Sequence, residues 1–214
     1  ALIQLLIETG KYHELEMVEP LFFAGAMGVA PIASFIRGAE SSAIQKEKLI
    51  LLLGRLNDKE AHHILQELLT DLPECFLSVT KALYRSNFIP LDEAREPLLA
   101  ISKKLLSRAA AIIYTQDALY QSDKETKLLR EALQIEVDGI RESLLYCFAV
   151  LYNRNNINKV RKAFDTKDKS SIINAMEIID ITVKKELAYR FNALFEPGDM
   201  QERILDLAKI YEPI

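Results

Sequence analysis

Between Leu98 and Tyr120 two apolar series run side by side at seven-residue spacing: Leu98, Leu105, Ile112, Leu119 and Leu99, Leu106, Ile113, Tyr120. Ser102, Ala109 and Gln116 sit midway on the same face, the stripe of a helix lying closely along another helix. The same grammar fills the chain. Amphipathic segments alternate with short polar turns, and no stretch reads as a hairpin of strands or as a strand followed by a crossover. An all-α protein is expected, with the long Leu98 helix joined through a Ser122–Asp123 turn to a partner from about Glu125 to Tyr152. So short a connection predicts an antiparallel hairpin.

Punctuation residues place the other helices. One is expected over Ala1–Thr9, stopped by Gly10, and another from Tyr12, carrying Leu15, Val18, Leu21 and Phe22 inward. Ser41 or Ser42 should cap a helix through Leu56 with Ile44, Leu49, Leu52 and Leu53 inside and the Lys48 stem lying along the surface. Asn57 and Asp58 make a turn into a helix burying Ala61, Ile64, Leu65, Leu68 and Leu69, and Pro73 opens the next. Pro90 and Pro97 bracket an acidic first turn of Asp92, Glu93 and Glu96. After a break at Asn153–Asn156, four shorter helices are expected near Ile157–Phe164, Ser170–Val183, Lys185–Phe195 and Met200–Tyr211. The uncharged run from Leu21 to Ile36 falls short of the ~20 residues of a membrane span. Gly25, Gly28 and Pro31 interrupt it, so it reads as two buried helix pieces meeting at a corner between Gly28 and Pro31.

Composition adds limits rather than chemistry. The 214 residues are 50% apolar, enough to build a core, and a net charge of −4 gives no general attraction to nucleic acid or anionic lipid. Cys75 and Cys147 stand in apolar contexts far apart and read as buried thiols. The chain begins at Ala1 without a targeting pattern and is expected to be a fragment of a larger protein, a single helical domain over residues 1–214. Ser78 and Lys81 match S-x-x-K without the companion motifs of that chemistry, and His63 with Glu67 could offer only two metal ligands from one helix face. Glu177 and Asp180 lie one turn apart, with a cap or interhelical hydrogen bond expected of Asp180. Gly25 to Gly28 lacks the lysine of a phosphate loop. No catalytic, cofactor-binding or metal residue is therefore expected. Between Leu151 and Arg190, nine basic residues face five acids. Of these, Arg154, Lys159, Arg161, Lys162, Lys184, Lys185 and Arg190 are the candidate partner-binding set.

The regular alternation of helix and turn has the form of paired-helix repeats, in which each pair buries its face against its neighbours. LGRLNDKEAHHILQELL (Leu53–Leu69) aligns with AVLYNRNNINKVRKAFD (Ala149–Asp165) through an apolar helix end, an Asn-rich turn and an inward apolar series. The segment LILLLGRLNDKEAHHILQELLTDLPECFLSVTKAL resembles a HEAT-type helical repeat. RESLLYCFAVLYN followed by INKVRKAFDTKDKSSIINAMEIID resembles the soluble HEAT-repeat region of bacterial proteins related to ATP/ADP nucleotide translocases. The resemblance implies an α-solenoid of antiparallel pairs, with the central hairpin longer than the usual HEAT helix. It further implies a non-enzymatic interaction or regulatory module, cytoplasmic and tethered to the inner membrane through a missing membrane domain. The partner would be a protein or another domain of the same polypeptide. The alternative is a nucleic-acid-binding HEAT-like protein with the architecture of alkylpurine DNA glycosylases, against which stand the negative charge and the absence of Trp.

Overall fold

The computed structural model describes residues 26–38, 41–121 and 126–211. These form ten α-helices and one 3₁₀ turn, with no strand among the described residues. The helices expected over Ala1–Thr9 and from Tyr12, and the Ser122–Asp123 turn, lie outside them. By their own contacts the residues gather into two compact units, Ala1–Phe88 and Ile89–Ile214.

The first unit holds α1 (Ala26–Arg37), α2 (Ala43–Leu56), α3 (Lys59–Asp71) and α4 (Phe76–Arg85), the last entered through a 3₁₀ turn at Pro73–Cys75. The expected corner between Gly28 and Pro31 does not form: α1 continues as helix through Pro31. The reason lies in where the ring points. Pro31 is exposed, so the carbonyl one turn earlier can take water, while Val29, Ile32, Ala33 and Ile36 bury the opposite face. Ser42 caps α2 through a reciprocal box, its hydroxyl accepting from Gln45 N at 3.3 Å while its own N–H donates to the Gln45 side chain at 2.8 Å. Asn57 then takes a left-handed conformation, φ 48°, and Asp58 caps α3 by accepting from Glu60 N at 2.8 Å. Ile44, expected inside, is 69% exposed, because the packed face of α2 begins only with Leu49 and Ile50. Gly54 lets α2 press against α4: a Cβ there would stand 2.7 to 2.8 Å from the backbone and Cβ of Ala82.

The second unit contains α5 (Asp92–Tyr120), α6 (Lys127–Leu151), α7 (Arg154–Thr166), α8 (Lys169–Thr182), α9 (Lys185–Phe195) and α10 (Met200–Ile210). α5 starts five residues before Pro97 and passes through it. As the sixth helical residue the proline leaves the Glu93 carbonyl without its intrahelical donor, and Asp92 and Glu93 suit the positive end of the dipole. The buried seam of α5 is Leu99, Ser102, Leu106, Ala109, Ile113 and Gln116, with alternating spacings of three and four. Leu98 and Leu99 are buried, whereas Leu105 and Leu119 are only half-buried and Tyr120 is 61% exposed, so both sequence series run out to the rim at their C-terminal ends. Along the α5–α6 pair, Arg95 Nη2 donates to Leu151 O (3.0 Å), Arg108 meets Glu136 (2.8 Å), and Gln116 donates to Arg130 O and to Gln134 (3.4 and 3.3 Å).

From residue 143 to Leu151 every residue of α6 is buried. Phe148 stands at the centre, its ring 5.7 Å from Phe191 and 6.1 Å from Tyr152, and Phe191 packs on Phe164 and Phe195 in turn. Such tilted and edge-to-face pairs add to area burial. α9 and α10 come back onto α5, so helices of this unit contact more than their chain neighbours. Asn156 Nδ2 donates to Thr182 at 3.1 Å, tying α7 to α8.

Candidate interaction surface

The seven basic residues singled out from sequence differ in their surroundings. Arg161 turns inward onto α6, its guanidinium 4.0 Å over the Tyr146 ring and donating to the Tyr146 hydroxyl at 2.6 Å. Arg190 lies 3.6 Å from Glu186 and 5.3 Å over the ring of Tyr211. Lys184 precedes α9, where its carbonyl accepts from Leu187 N and Ala188 N at 2.9 Å, and Lys185 opens that helix. Arg154, half-buried, opens α7; of the basic residues on that helix, Lys159 and Lys162 are exposed. Lys159, Lys162, Lys184 and Lys185 are thus exposed, while Arg161 and Arg190 are half-buried against tyrosine rings.

The other residues weighed for chemistry stand in the following surroundings. Ser78 is buried on α4 while Lys81 is half-exposed. Asp180 accepts from Asn192 Nδ2 at 2.9 Å, the interhelical bond its position suggested. Both cysteines are free and buried, and burial pushes the Cys147 thiol up to about 12, out of reach of thiolate chemistry. His63 stands 3.4 Å from Glu67 on an exposed face, and among the described residues no three His, Cys, Asp or Glu side chains converge as a metal site. Nor is any described helix long and apolar enough to cross a membrane.

His62 has a more specific environment. Its ring meets Phe88 edge-on at 5.1 Å, and Nε2 is buried without a hydrogen-bond partner. Desolvation lowers its pKa, opposed by the nearby Asp58 carboxylate. The folded pKa therefore lies below the unfolded value near 6.5, so the unfolded chain binds more protons in the window between them. Stability from this site is complete above about 6.5 and is lost as pH falls through the folded value. Thermal melts between pH 7.5 and 5 should show a decline that His62→Leu removes; an identical slope in the variant would refute the assignment.

The surface that sequence reading missed lies on α6. Its inner apolar series is Leu133, Val137, Ile140 and Leu144, and one-third of a turn away runs a second series of Leu128, Ala132, Ile135 and Gly139 with the same four-three-four spacing. Leu128 is 82% and Ile135 73% exposed, Ala132 is exposed, and nothing lies within 4 Å of where a Gly139 Cβ would be. Beside this stripe a cleft of about 350 Å³ opens between α6 and α7, lined by Ile135, Gly139, Leu145 and Phe164 and by charged side chains including Glu142 and Arg161. Its charges are largely paired: Arg141 donates to Asp138 at 2.7 Å and stacks 4.6 Å over Phe164, and Arg161 reaches Glu142 at 3.9 Å. The doubled apolar pairs Leu128–Leu129 and Ala132–Leu133 were the available signal, since a helix with one packed face needs no second series. Comparison of the chain with protein-family models, with curated proteins and with solved structures gives no match.

Proposed function

We propose that this chain is a non-enzymatic helical interaction module that binds a protein, or another domain of its own polypeptide, through the outer face of α6. The observation that carries the reading is the uncovered stripe of Leu128, Ala132, Ile135 and Gly139, with two bulky apolar side chains more than 70% exposed on a well-formed helix. Contiguous exposed apolar surface on a packed domain marks a place where a partner removes it from water. The occupant of such a stripe is an amphipathic helix, read at the same i, i+4, i+7 spacing.

The HEAT-like, antiparallel α-solenoid reading belongs to the same proposal. Its support is the matched pair of segments, each a helix, an Asn turn and a second helix: α2–Asn57–α3 and α6–Asn153–α7. The opposed order of contacts along α5 and α6 fits an antiparallel hairpin. The likeness to soluble regions of nucleotide-translocase-related proteins makes a cytoplasmic domain tethered to its membrane part the corresponding biological setting. Closure of α9 and α10 onto α5 modifies that picture for residues 89–214, where a regular open stack would leave those helices apart.

A photoreactive side chain at position 135, in the chain expressed in bacterial cells, tests the reading. A discrete protein adduct is expected there, with none from Lys104, which is exposed on α5. An adduct to nucleic acid would favour the alternative binding class, and no adduct at 135 above that at 104 would overturn the proposal.

A further inference from the structure

The stripe on α6 carries more information than its hydrophobicity, because it is complementary to its own reverse. Taken about a point midway between Ala132 and Ile135, the order Leu128, Ala132, Ile135, Gly139 places a bulky residue opposite a small one at each of its four positions. Leu128 would fall against Gly139 of a second copy, where the space a Cβ would fill is open, and Ile135 against Ala132. Small residues facing large ones let two helices approach closely with interdigitated side chains. The charges beside the stripe are met within the chain: Lys127 lies 4.0 Å from Glu131, Asp138 accepts from Arg141 and Glu142 lies 3.9 Å from Arg161, so the alternation of bulky and small residues is what selects the partner.

Building on the reading of this face as a protein-binding surface, we propose that its partner is a second copy of this chain, paired helix to helix and antiparallel through residues 127–142 of α6. The contact is isologous, so it closes at two and leaves no free face to propagate. Beyond Glu142 the helix is buried in its own unit, which limits the contact to about four turns. Stable interfaces bury about 1,200–2,000 Å² in total, and a four-turn helix pair lies at the low end, so a weak, concentration-dependent dimer is expected.

Sedimentation of the full chain over a concentration series should show monomer giving way to dimer. Ile135→Glu and Gly139→Leu should each weaken the association roughly tenfold or more, a loss readable in the midpoint. The Gly139→Leu variant is the sharper test. It adds apolar surface, so indiscriminate hydrophobic sticking would strengthen, whereas the paired geometry fills the slot that Leu128 needs. A double variant, Leu128→Cys with Gly139→Cys, should form a disulfide-linked dimer on oxidation, and neither single variant should. Eleven residues of helix hold the two positions about 16 Å apart in one chain, beyond disulfide reach, so a link must join copies. The native Cys75 and Cys147 are buried and do not compete. A monomer at every concentration, stronger association of Gly139→Leu, or cross-linking of Leu128→Cys alone would each overturn the antiparallel self-pairing. A photoadduct at position 135 carrying a different protein would then leave the interaction reading standing, whereas absence of any adduct would remove both.

Discussion

Phe148→Asp is expected to abolish the cooperative fold of the second unit. The ring is fully buried and touches Phe191 and Tyr152, so truncation alone removes a packing contribution of about 3–5 kcal/mol. A carboxylate left in that site must either stay charged without a partner or take up a proton, at a further cost of several kcal/mol. Whole domains are stable by about 5–15 kcal/mol, so the sum is comparable with the total. Far-UV circular dichroism should show lost helix or a much lower melting temperature. A melt matching wild type would mean that α6 and α9 do not meet around this side chain.

Gly54→Val should be nearly as damaging in the first unit, for a different reason. The contact a Cβ would make is with the carbonyl, Cα and Cβ of Ala82, and backbone cannot rotate away as a side-chain end can. Overpacking costs about 1–3 kcal/mol in cores that can adjust, and this site adjusts only by moving α4 off α2. Helix propensity favours replacing glycine by about 1 kcal/mol, which is too little to reverse the sign. Gly139→Ala supplies the contrast, since open space surrounds that position in the single chain and, at concentrations too low for pairing, the propensity gain should appear undiminished. Chemical denaturation of the two variants should therefore move the midpoint in opposite directions. A neutral Gly54→Val would show that α2 and α4 do not approach so closely.

Much of this fold was legible because the signals were local. Helix starts at Ser42 and Asp58 carry the side-chain caps that residue type alone suggests, and the seam of α5 declares itself by seven-residue recurrence, whereas the break expected over Asn153–Asn156 narrows to Asn153, which caps a helix already begun at Arg154. Pro31 misled because a proline's effect depends on which way its ring faces, a property set by the helix's orientation in the unit. The return of α9 and α10 to α5 depends on contacts across many residues, which periodicity cannot express. The surroundings of the basic residues were equally beyond periodicity. Proximity in sequence grouped Arg161 and Arg190 with Lys159, but the folded chain turns the first two onto Tyr146 and Tyr211. The α6 surface was hidden by ambiguity: two apolar series on one helix are indistinguishable until the structure covers one and leaves the other.

The claim that the outer face of α6 is the binding surface is tested most directly by mapping photo-capture position by position around that helix. Probes at Leu128, Ala132, Ile135 and Gly139 should all yield the same adduct, while probes at Lys104 and Ser107, exposed on α5, yield none. Capture spread evenly over both sets, or confined to α5, would contradict the account.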